Sequence, residues 1–411
     1  MTEKFTPVED AIATLRRGGF VVVLDDARRE NEGDLIIAAE NMTPAAMTFM
    51  RRHTSGLVRV SLPPERLDEL RLPLMVMRNS EPHGSAFTVS VDYRHDTTSG
   101  VSNADRAATI RALANRRTRA EDFTRPGHVF PLRTSDGGVL KRAGHTEAAA
   151  DLARLAGLYP AGALAEIVNE DGSIAQGEAL HAFAELHGLP VITIAALADY
   201  RQRVERLYEK VADARLPTKH GEFVIRTYRS LVDGSEQIAL IRGEPFDDAP
   251  VLVRVHSECL TGDVFGSTRC DCGEQLDAAM ARVAEAGRGV IVYLRGHEGR
   301  GIGLSHKLRA YRLQDSGRDT VEANLDLGFP ADLRSYAAGA QILKSLRIAH
   351  VTLLTNNPAK VEALKNLGID VVGREPVTTS LTRDNLRYLQ VKQSKMGHLL
   401  TLPDSLPISD E

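Results

Sequence analysis

Three cysteines in the C-terminal half of the sequence are candidates for a metal site. Cys259, Cys270 and Cys272 fall within fourteen positions of a 411-residue chain that has no other cysteine. An odd number of closely spaced thiols does not suit a disulfide framework, whereas thiolates at such spacing are common zinc ligands. Three ligands leave the fourth position of a tetrahedral zinc ion open. An open position is typical of a catalytic site, because water bound there becomes acidic near neutral pH.

The cysteine spacing also permits other interpretations. His256 or His297 could supply a fourth ligand and close a structural zinc site, and single cysteines are often small buried apolar residues. A zinc ribbon that binds nucleic acid usually has four ligands and a basic surface. The formal net charge of −4 argues against a polyanionic partner, so we expect no nucleic acid. The run of polar residues that leads into Cys259 favours the catalytic interpretation.

A second group of reactive side chains lies in the N-terminal half. Residues 25–34 read DDARRENEGD and follow an apolar stretch. Such a charge run is often only a solvated turn, but strand ends in α/β folds are where sites are built. Arg142, His145 and Thr146 stand at the start of a predicted helix, a place that favours a phosphate. Carboxylates with one histidine favour a hard divalent cation such as Mg²⁺.

The elements that must position these residues are apolar strands that alternate with amphipathic helices in both halves. This alternation predicts an α/β (α+β) fold of two domains, each with a mixed β-sheet packed by helices. The charged segment 199–215 is interpreted as a solvated helical linker, which gives domains at 1–205 and 206–411. The periodicity predicts strands at 20–24, 163–168, 190–195, 223–227, 237–242, 251–255, 290–294 and 351–354, and helices beginning near 8, 146, 274, 304, 336 and 358.

Composition indicates an ordinary globular chain. It is 43% hydrophobic and 26% charged, and its length suffices for two domains. No apolar run approaches the roughly 18 residues needed to span a bilayer, and the N-terminus lacks the regions of a signal peptide. We therefore expect a cytoplasmic protein with no membrane partner.

Several longer motifs carry a resemblance to a known family. The sequence resembles the bifunctional riboflavin-biosynthesis proteins, in which a 3,4-dihydroxy-2-butanone 4-phosphate synthase domain is fused to GTP cyclohydrolase II. The resemblance covers essentially the whole chain. It rests on DDARRENEGD, RPGHVFPLR, RAGHTEA and AEIVNEDG in the first half, and on RVHSECLTGDVFGSTRCDCGEQL, GHEGRGIGL, LQDSGRDTVEAN and LLTNNPAK in the second.

For the C-terminal half, the resemblance implies zinc-dependent hydrolysis of GTP to 2,5-diamino-6-(5-phosphoribosylamino)pyrimidin-4-one, formate and pyrophosphate. Zinc would be bound by Cys259, Cys270 and Cys272, with Mg²⁺ accompanying GTP. The positions that match the family's GTP contacts are Arg254, Val255, His256, Ser257, Glu258, Gln275, Glu298, Gly299, Arg300, Tyr311, Thr320, Thr355 and Lys360.

The resemblance also implies two catalytic residues here. Asp332 would be the proton acceptor and Arg334 the nucleophile toward the α-phosphate. A guanidinium group stays protonated in proteins, so stabilisation of phosphoryl charge is the more conservative role for Arg334. From the residues alone, the two could also be an exposed loop pair, and Tyr311 could serve core packing as well as orientation of an intermediate.

For the N-terminal half, the resemblance implies conversion of ribulose 5-phosphate to 3,4-dihydroxy-2-butanone 4-phosphate and formate. Mg²⁺ or Mn²⁺ would be bound by Glu30 and His145, and His128 and Glu166 would be catalytic. From the residues alone, a structural histidine between Gly127 and a strand is the favoured interpretation of His128. The substrate contacts implied by the family are Arg29, Glu30, Asp34, Arg142, Ala143, Gly144, His145, Thr146 and Glu166. A homodimer is implied as well.

This half departs from the family pattern at four positions. Arg59 and Ala165 stand where the family usually has cysteine, Ser99 replaces a threonine, and Gln176 replaces a basic residue. Arg59 could pair with the substrate phosphate, repel the metal or face solvent. These departures leave open a GTP cyclohydrolase with a catalytically silent N-terminal domain. The cysteine cluster separately leaves open a zinc-ribbon binding protein.

Overall fold

The computed structural model describes residues 5–26, 29–243 and 249–402. The chain forms two compact units, Met1–Val204 and Glu205–Glu411. In the described residues, each unit is built on one seven-stranded mixed β-sheet with helices on both faces. The predicted α/β class with two sheets is confirmed. The same residues contain no helix with both the length and the apolar character needed to cross a membrane.

The first unit has strand order β4-β5-β3-β6-β2-β1-β7. The pairs β1–β7 and β3–β5 are parallel and the other pairs are antiparallel. Its helices and strands are α1 (Val8–Arg16), β1 (Val21–Leu24), β2 (Gly33–Ala38), α2 (Pro44–His53), β3 (Arg59–Leu62), α3 (Pro64–Glu69), β4 (Val91–Tyr93), α4 (Asn103–Ala114), β5 (Phe123–Arg133), α5 (His145–Leu155), β6 (Gly162–Glu166), α6 (Glu178–His187), β7 (Val191–Thr193) and α7 (Ile194–Val204).

Alternation along the central strands explains why this sheet is buried on both sides. In β2, Leu35 and Ile37 belong to one apolar cluster, whereas Ile36 and Ala38 belong to the other. Successive strand residues point to opposite faces, so a continuous apolar run fills two cores. Helices α1, α5 and α7 supply one core, and α2, α4 and α6 supply the other.

The second unit has strand order β14-β13-β11-β12-β10-β9-β8. Strands β14, β13, β11 and β12 are mutually parallel, and β10, β9 and β8 continue the sheet in antiparallel pairs. Its elements are β8 (Tyr208–Thr218), β9 (Gly221–Ser230), β10 (Glu236–Arg242), β11 (Val251–Ser257), α8 (Leu260–Asp263), α9 (Cys272–Ala286), β12 (Gly289–Leu294), α10 (Leu304–Asp315), α11 (Thr320–Asp326), α12 (Ala337–Ser345), β13 (His350–Leu354), α13 (Pro358–Asn366), β14 (Asp370–Glu375) and α14 (Leu386–Met396).

The prediction of a helical linker over 199–215 is wrong. Helix α7 ends at Val204, and the chain forms β8 from Tyr208 onward. Strand β8 is the edge strand of the second sheet, and most of its side chains are exposed. Its order comes from backbone pairing with β9, and charged residues on an edge strand discourage pairing with other chains. A strand exposed in this way lacks the apolar alternation that would reveal it in the sequence.

The strand predicted at 190–195 begins one residue too early and ends two residues too late. Strand β7 ends at Thr193, and the hydroxyl of Thr193 accepts a hydrogen bond of 3.0 Å from the backbone N–H of Ala196. Threonine in this position caps a helix by satisfying a free N–H group of its first turn. The apolar residues that follow therefore begin helix α7 instead of extending the strand.

Candidate active sites

The cysteine cluster lies where three parallel strands of the second sheet end. Ser257 closes β11 and is followed by Cys259, the segment Glu298–Arg300 follows β12, and Thr355 follows β13. Carboxyl ends of neighbouring parallel strands meet at one edge of a sheet, which is where α/β proteins bind ligands. The sheet order therefore gathers residues that are about a hundred positions apart in sequence.

The three thiols form a compact group. The ligand atoms of Cys259, Cys270 and Cys272 all lie within 4.8 Å of one another, and the sulfurs of Cys259 and Cys270 are 3.7 Å apart. Gly262 makes room for them, because a Cβ atom there would lie 2.9 Å from the sulfur of Cys270. Hydrogen bonds from the other two thiols lower the pKa of Cys259 far below its ordinary value. A soft divalent cation fits this donor set.

A buried ion pair supports the cluster from one side. The ammonium group of Lys307 lies 3.1 Å from the sulfur of Cys259 and 2.8 Å from the hydroxyl of Thr261. The same ammonium is paired with the Glu298 carboxylate, whose other oxygen accepts a hydrogen bond of 2.7 Å from the backbone N–H of Leu260. Lys307 thus links the sulfur of Cys259 to Glu298, which was predicted as a GTP contact.

Asp263 orders the other side of the cluster. Its carboxylate accepts hydrogen bonds from the backbone N–H of Cys259 at 3.0 Å and from the hydroxyl of Tyr293 at 2.8 Å. The Nε2 atom of His256 is 3.1 Å from both oxygens of the same carboxylate. Burial lowers the pKa of His256, and its Nδ1 atom is buried with no hydrogen-bond partner among the described residues. His256 is thus held in place by Asp263.

A cavity opens beside the thiols; its empty space, counted together with the solvent at its open mouth, is about 1090 Å³. The predicted residues that line it are Arg254, His256, Ser257, Glu258, Cys259, Cys270, Cys272, Gln275, Glu298, Gly299, Arg300, Tyr311, Thr320, Arg334, Thr355 and Lys360.

Two predicted residues are placed differently. The side chain of Val255 packs in the core of the second unit, and its backbone oxygen accepts a hydrogen bond of 2.7 Å from Lys360. Arg334 lines the cavity, and the carboxylate of Asp332 is bonded to its guanidinium. The guanidinium of Arg334 donates to both carboxylate oxygens of Asp332. Burial lowers the pKa of Arg334, but the hydrogen bonds that it donates to Asp332, with the negative charges nearby, outweigh burial and raise that pKa overall.

The cavity is rich in cationic groups. Arg254 is buried and donates 2.6 Å to Gln275 and 2.9 Å to the backbone oxygen of Leu354. Arg300 donates 2.9 Å to the hydroxyl of Thr320, and its backbone has a left-handed φ of 66°. Burial, with the charge of Arg254, lowers the pKa of Lys360 well below its ordinary value. A polyanion bound here would offset the cost of confining these charges.

Sequence reasoning missed the contribution of the last helix. The cavity is also lined by Tyr388, Lys392, Met396 and His398, from α14 and the residue pair after it. Lys392 forms a buried ion pair of 2.7 Å with Asp271, which lies between two of the cysteines. No pattern links α14 to the cysteines more than a hundred residues earlier. The buried lysines of the site look like ordinary surface lysines in the sequence.

The candidate metal site of the first unit is formed by the loop between β1 and β2 and by the start of α5. Asp25, Glu30 and His145 each offer a ligand atom within 4.8 Å of the others. Nε2 of His145 is 3.1 Å from the backbone oxygen of Val23, an acceptor, so this nitrogen carries the proton. Nδ1 is then free to accept and lies 3.9 Å from the Glu30 carboxylate. A histidine held this way is typical of metal ligands.

Asp25 was not predicted, and its contacts indicate that it shapes the loop. Its carboxylate accepts hydrogen bonds from the backbone N–H of Glu30 at 3.1 Å, from that of Glu32 at 2.9 Å and from Arg29 at 3.1 Å. Arg29 is also paired with Glu30 at 2.6 Å. The predicted substrate contact Arg29 therefore lies against the predicted metal ligand Glu30.

Two other predicted carboxylates lie opposite each other on neighbouring strands. Asp34 of β2 is the register partner of Glu166 of β6. Asp34 is buried, and one of its oxygens has no hydrogen-bond partner among the described residues. Burial raises the pKa of Asp34. Arg59 contacts both carboxylates, at 3.2 Å from Asp34 and 2.6 Å from Glu166. It therefore pairs with acidic side chains and does not face solvent.

His128 has a different neighbour. Its Nδ1 atom is 2.7 Å from the Asp92 carboxylate, and its backbone N–H donates 2.9 Å to the same side chain. Gly100 packs directly against this carboxylate, because a Cβ atom at Gly100 would lie 2.1 Å from an oxygen of Asp92. The ring of His128 is therefore held by Asp92, a residue outside the Glu30–His145 group.

The predicted phosphate contacts gather at the start of α5. Gly144 precedes the helix, and His145 and Thr146 form its first turn. Arg142 lies beside them, paired at 2.6 Å with the buried carboxylate of Glu147. A Cβ atom at Gly144 would lie 2.5 Å from that guanidinium, so the backbone and Arg142 approach closely here. Ala143 is exposed next to this turn.

The remaining departures from the family pattern lie away from the paired carboxylates. Ala165 is buried in the same apolar cluster as Leu35, whereas its neighbour Glu166 faces the opposite side of the sheet. Ser99 and Gln176 are exposed. Of the four departures, Arg59 is therefore the one whose side chain contacts predicted site residues.

Comparisons with known proteins cover both units. Residues 9–200 match the family model of 3,4-dihydroxy-2-butanone 4-phosphate synthase, and residues 209–376 match that of GTP cyclohydrolase II. The chain is 55% identical to the riboflavin biosynthesis protein RibBA of Nocardia farcinica over 409 residues, 99% of both proteins. It is 56% identical over 403 residues to a probable bifunctional riboflavin biosynthesis protein, RIBA 2, of Oryza sativa subsp. japonica, covering 98% of this chain and 73% of that protein.

A solved structure shows the same fold. The crystal structure of RibBX, a two-domain 3,4-dihydroxy-2-butanone 4-phosphate synthase from A. baumannii, matches with a TM-score of 0.68 at 35% identity. The match covers 91% of this chain and all of that one.

Proposed function

The chain belongs to the bifunctional riboflavin biosynthesis proteins, and we propose that residues 1–205 form its 3,4-dihydroxy-2-butanone 4-phosphate synthase domain and residues 206–411 its GTP cyclohydrolase II domain. It is a fused enzyme of riboflavin biosynthesis with one domain of each kind, and its two families imply ribulose 5-phosphate and GTP as substrates. A silent N-terminal domain is the less supported alternative, because the Glu30–His145 pair is in place. A zinc ribbon does not account for the large cationic cavity beside the thiols.

The cyclohydrolase site is proposed to hold zinc at Cys259, Cys270 and Cys272. The observation that carries this proposal is the set of three thiols within 4.8 Å on the wall of the cavity. When bound, zinc supplies a Lewis acid that makes water acidic and polarises the carbon under attack. The fourth position would be open, since the group of ligand atoms within 4.8 Å of one another consists of the three thiols and, among the described residues, includes no histidine.

The chain's own residues are proposed to hold GTP and to handle its charges. Arg254, Arg300 and Lys360 neutralise the triphosphate, with Mg²⁺ as a counterion of the nucleotide. Arg334 stabilises charge on the α-phosphate, because a guanidinium paired with Asp332 stays protonated and cannot act as a nucleophile. Asp332 takes up protons as the imidazole ring opens. Tyr311, whose hydroxyl is 3.2 Å from that of Thr261, orients the base next to the thiols.

The synthase site is proposed to hold Mg²⁺ or Mn²⁺ at Glu30 and His145. Oxygen ligands with one imidazole suit a hard cation, which would polarise the adjacent oxygens of the sugar phosphate. Arg142, Gly144 and Thr146 bind the phosphate at the start of α5. Glu166 moves protons at the carbon skeleton and His128, oriented by Asp92, assists it.

Metal exchange tests both assignments. We expect chelation to stop formate release from both substrates. Zinc should restore the reaction of GTP, and Mg²⁺ or Mn²⁺ should restore that of ribulose 5-phosphate. The proposal fails for the second unit if the zinc-free protein still opens GTP, and for the first if ribulose 5-phosphate reacts without a divalent cation. The homodimer implied by the family remains a proposal, testable by sedimentation.

A further inference from the structure

Arg59 lies between two carboxylates of the synthase site. One nitrogen of its guanidinium, Nη2, is 3.2 Å from Asp34 and 2.6 Å from Glu166. The three residues come from adjacent strands, since Asp34 is paired with Glu166 and Arg59 is paired with Leu164 of the same strand. The side chain of Arg59 is 15% exposed and that of Asp34 is 1% exposed. The contact is therefore largely shielded from water.

The electrostatics of the sheet explain why a cation is needed here. Like charges directly opposite on neighbouring strands repel, and the repulsion between Asp34 and Glu166 is strong because Asp34 is buried. Burial is the main cause of the raised pKa of Asp34; His145 and then Arg59 act against the rise, while Glu166 and Glu30 add to it. A planar guanidinium can serve two carboxylates at once, which a cysteine at this position could not do.

Arg59 also helps to fix the orientation of Glu166. It contacts Oε1 of Glu166, while the hydroxyl of Ser55 donates 2.8 Å to Oε2. The backbone N–H of Ser55 donates 2.8 Å to the backbone oxygen of Glu166. Both carboxylate oxygens are thus held by donors on different elements. A side chain held in this way cannot rotate without losing one of the two contacts.

We propose that Arg59 is a positioning residue of the synthase reaction, holding Glu166 in its working orientation through a shared ion pair with Asp34. The inference rests on the proposed catalytic role of Glu166. Arg59 is not assigned to the phosphate, because its Nη2 atom is already engaged by two carboxylates. The place proposed for the phosphate is the start of α5.

The test compares Arg59→Ala, Arg59→Lys and Glu166→Gln with the unaltered enzyme, using formate released from ribulose 5-phosphate at saturating Mg²⁺. Arg52→Ala is the matched control, since Arg52 lies exposed on α2. Loss of a residue that orients a reacting group typically costs 10- to 100-fold, so we expect kcat to fall by about that factor in Arg59→Ala. KM should stay within about threefold, and Arg59→Lys should recover part of kcat.

The possible results distinguish failure of the inference about Arg59 from failure of the proposed synthase function. A rise in KM with unchanged kcat would make Arg59 a substrate contact, and unchanged kcat and KM would make it an incidental charge; both overturn the inference while the function stands. An active Glu166→Gln enzyme would refute the role of Glu166, and an inactive parent enzyme would refute the synthase function, each taking the inference with it. Urea denaturation of the same preparations reports whether the first unit is folded, and Arg59→Lys keeps the charge if Arg59→Ala does not fold.

Discussion

The ammonium group of Lys307 lies 3.1 Å from the sulfur of Cys259, inside a buried pair with Glu298. Three thiolates around a divalent cation leave the site with a net negative charge, which opposes the acidity of bound water. Hydrogen bonds from Cys270 and Cys272 are the main cause of the lowered pKa of Cys259, and the positive charge of Lys307 adds to it, which favours the thiolate that binds the metal.

We therefore expect Lys307→Met to weaken zinc binding and slow the reaction of GTP. Outer partners of metal ligands typically contribute 10- to 100-fold in affinity, so the zinc dissociation constant should rise by about that factor. Competition with a chromophoric chelator measures it, and Lys307→Arg, which keeps the charge, is the matched control. Unchanged zinc affinity in Lys307→Met would show that the contact has no influence on the metal.

Cys270→Ala is expected to abolish formate release from GTP. The substitution leaves two thiols, which do not complete the three-ligand set. Formate release from ribulose 5-phosphate serves as the internal control and should be unchanged, because the cysteines belong to the other unit. Normal GTP turnover by Cys270→Ala would refute the metal assignment.

Glu30→Ala should have the reciprocal effect. It removes one of the two residues proposed to hold the hard cation, so formate release from ribulose 5-phosphate should fall below detection while GTP turnover persists. Mn²⁺ binding, followed by electron paramagnetic resonance in Glu30→Ala and the parent, reports the metal directly. Retained synthase activity would show that Glu30 is not needed for the reaction.

Lys392→Met is expected to destabilise the second unit. Its partner Asp271 is buried, and removing one member of a buried ion pair typically costs about 3–5 kcal/mol. Lys395→Met on the same helix is the matched control, since its side chain is 42% exposed and exposed pairs contribute about 1 kcal/mol or less. Urea denaturation compares the two. An equal loss of unfolding free energy in Lys392→Met and Lys395→Met would mean that the Lys392–Asp271 pair is not buried in solution.

His297 should make the second unit sensitive to acid. Burial, with the charges of Arg334 and Lys360, lowers its pKa from 6.5 to about 4. As the pH falls from 6.5 towards 4, the unfolded chain therefore takes up a proton that the folded protein does not, and stability decreases. Once both states are protonated, the free energy of unfolding is lower by about 3 kcal/mol.

Urea midpoints between pH 4 and 7 measure this dependence. They should vary less steeply in His297→Gln than in the parent. His350→Gln is the control, because the His350 side chain is 45% exposed. An identical pH dependence in His297→Gln and the parent would contradict the prediction.

The features that could be predicted are those with a strong pattern in a short stretch of sequence. The cysteine spacing anticipated a cluster that the structure brings within 4.8 Å, and strands such as β11 and β12 are apolar enough to be read from periodicity. Strand β8 escaped prediction because its order comes from pairing at an edge rather than from burial. Lys307 and Lys392 escaped because only tertiary packing removes them from water.

Arg59 shows a different limit. The sequence marked it as a departure from the family pattern and left three environments open. Its contact with Asp34 and Glu166 depends on the order of β3, β6 and β2 in the sheet, which residue spacing does not encode.

Formate release by the purified protein, measured separately with GTP and with ribulose 5-phosphate, tests the bifunctional assignment most directly, because each reaction liberates formate. The structure of the two sites predicts formate from both substrates, with zinc required for GTP and Mg²⁺ or Mn²⁺ for ribulose 5-phosphate. Formate from GTP alone would contradict the assignment of a working synthase to the first unit, and formate from neither would contradict both.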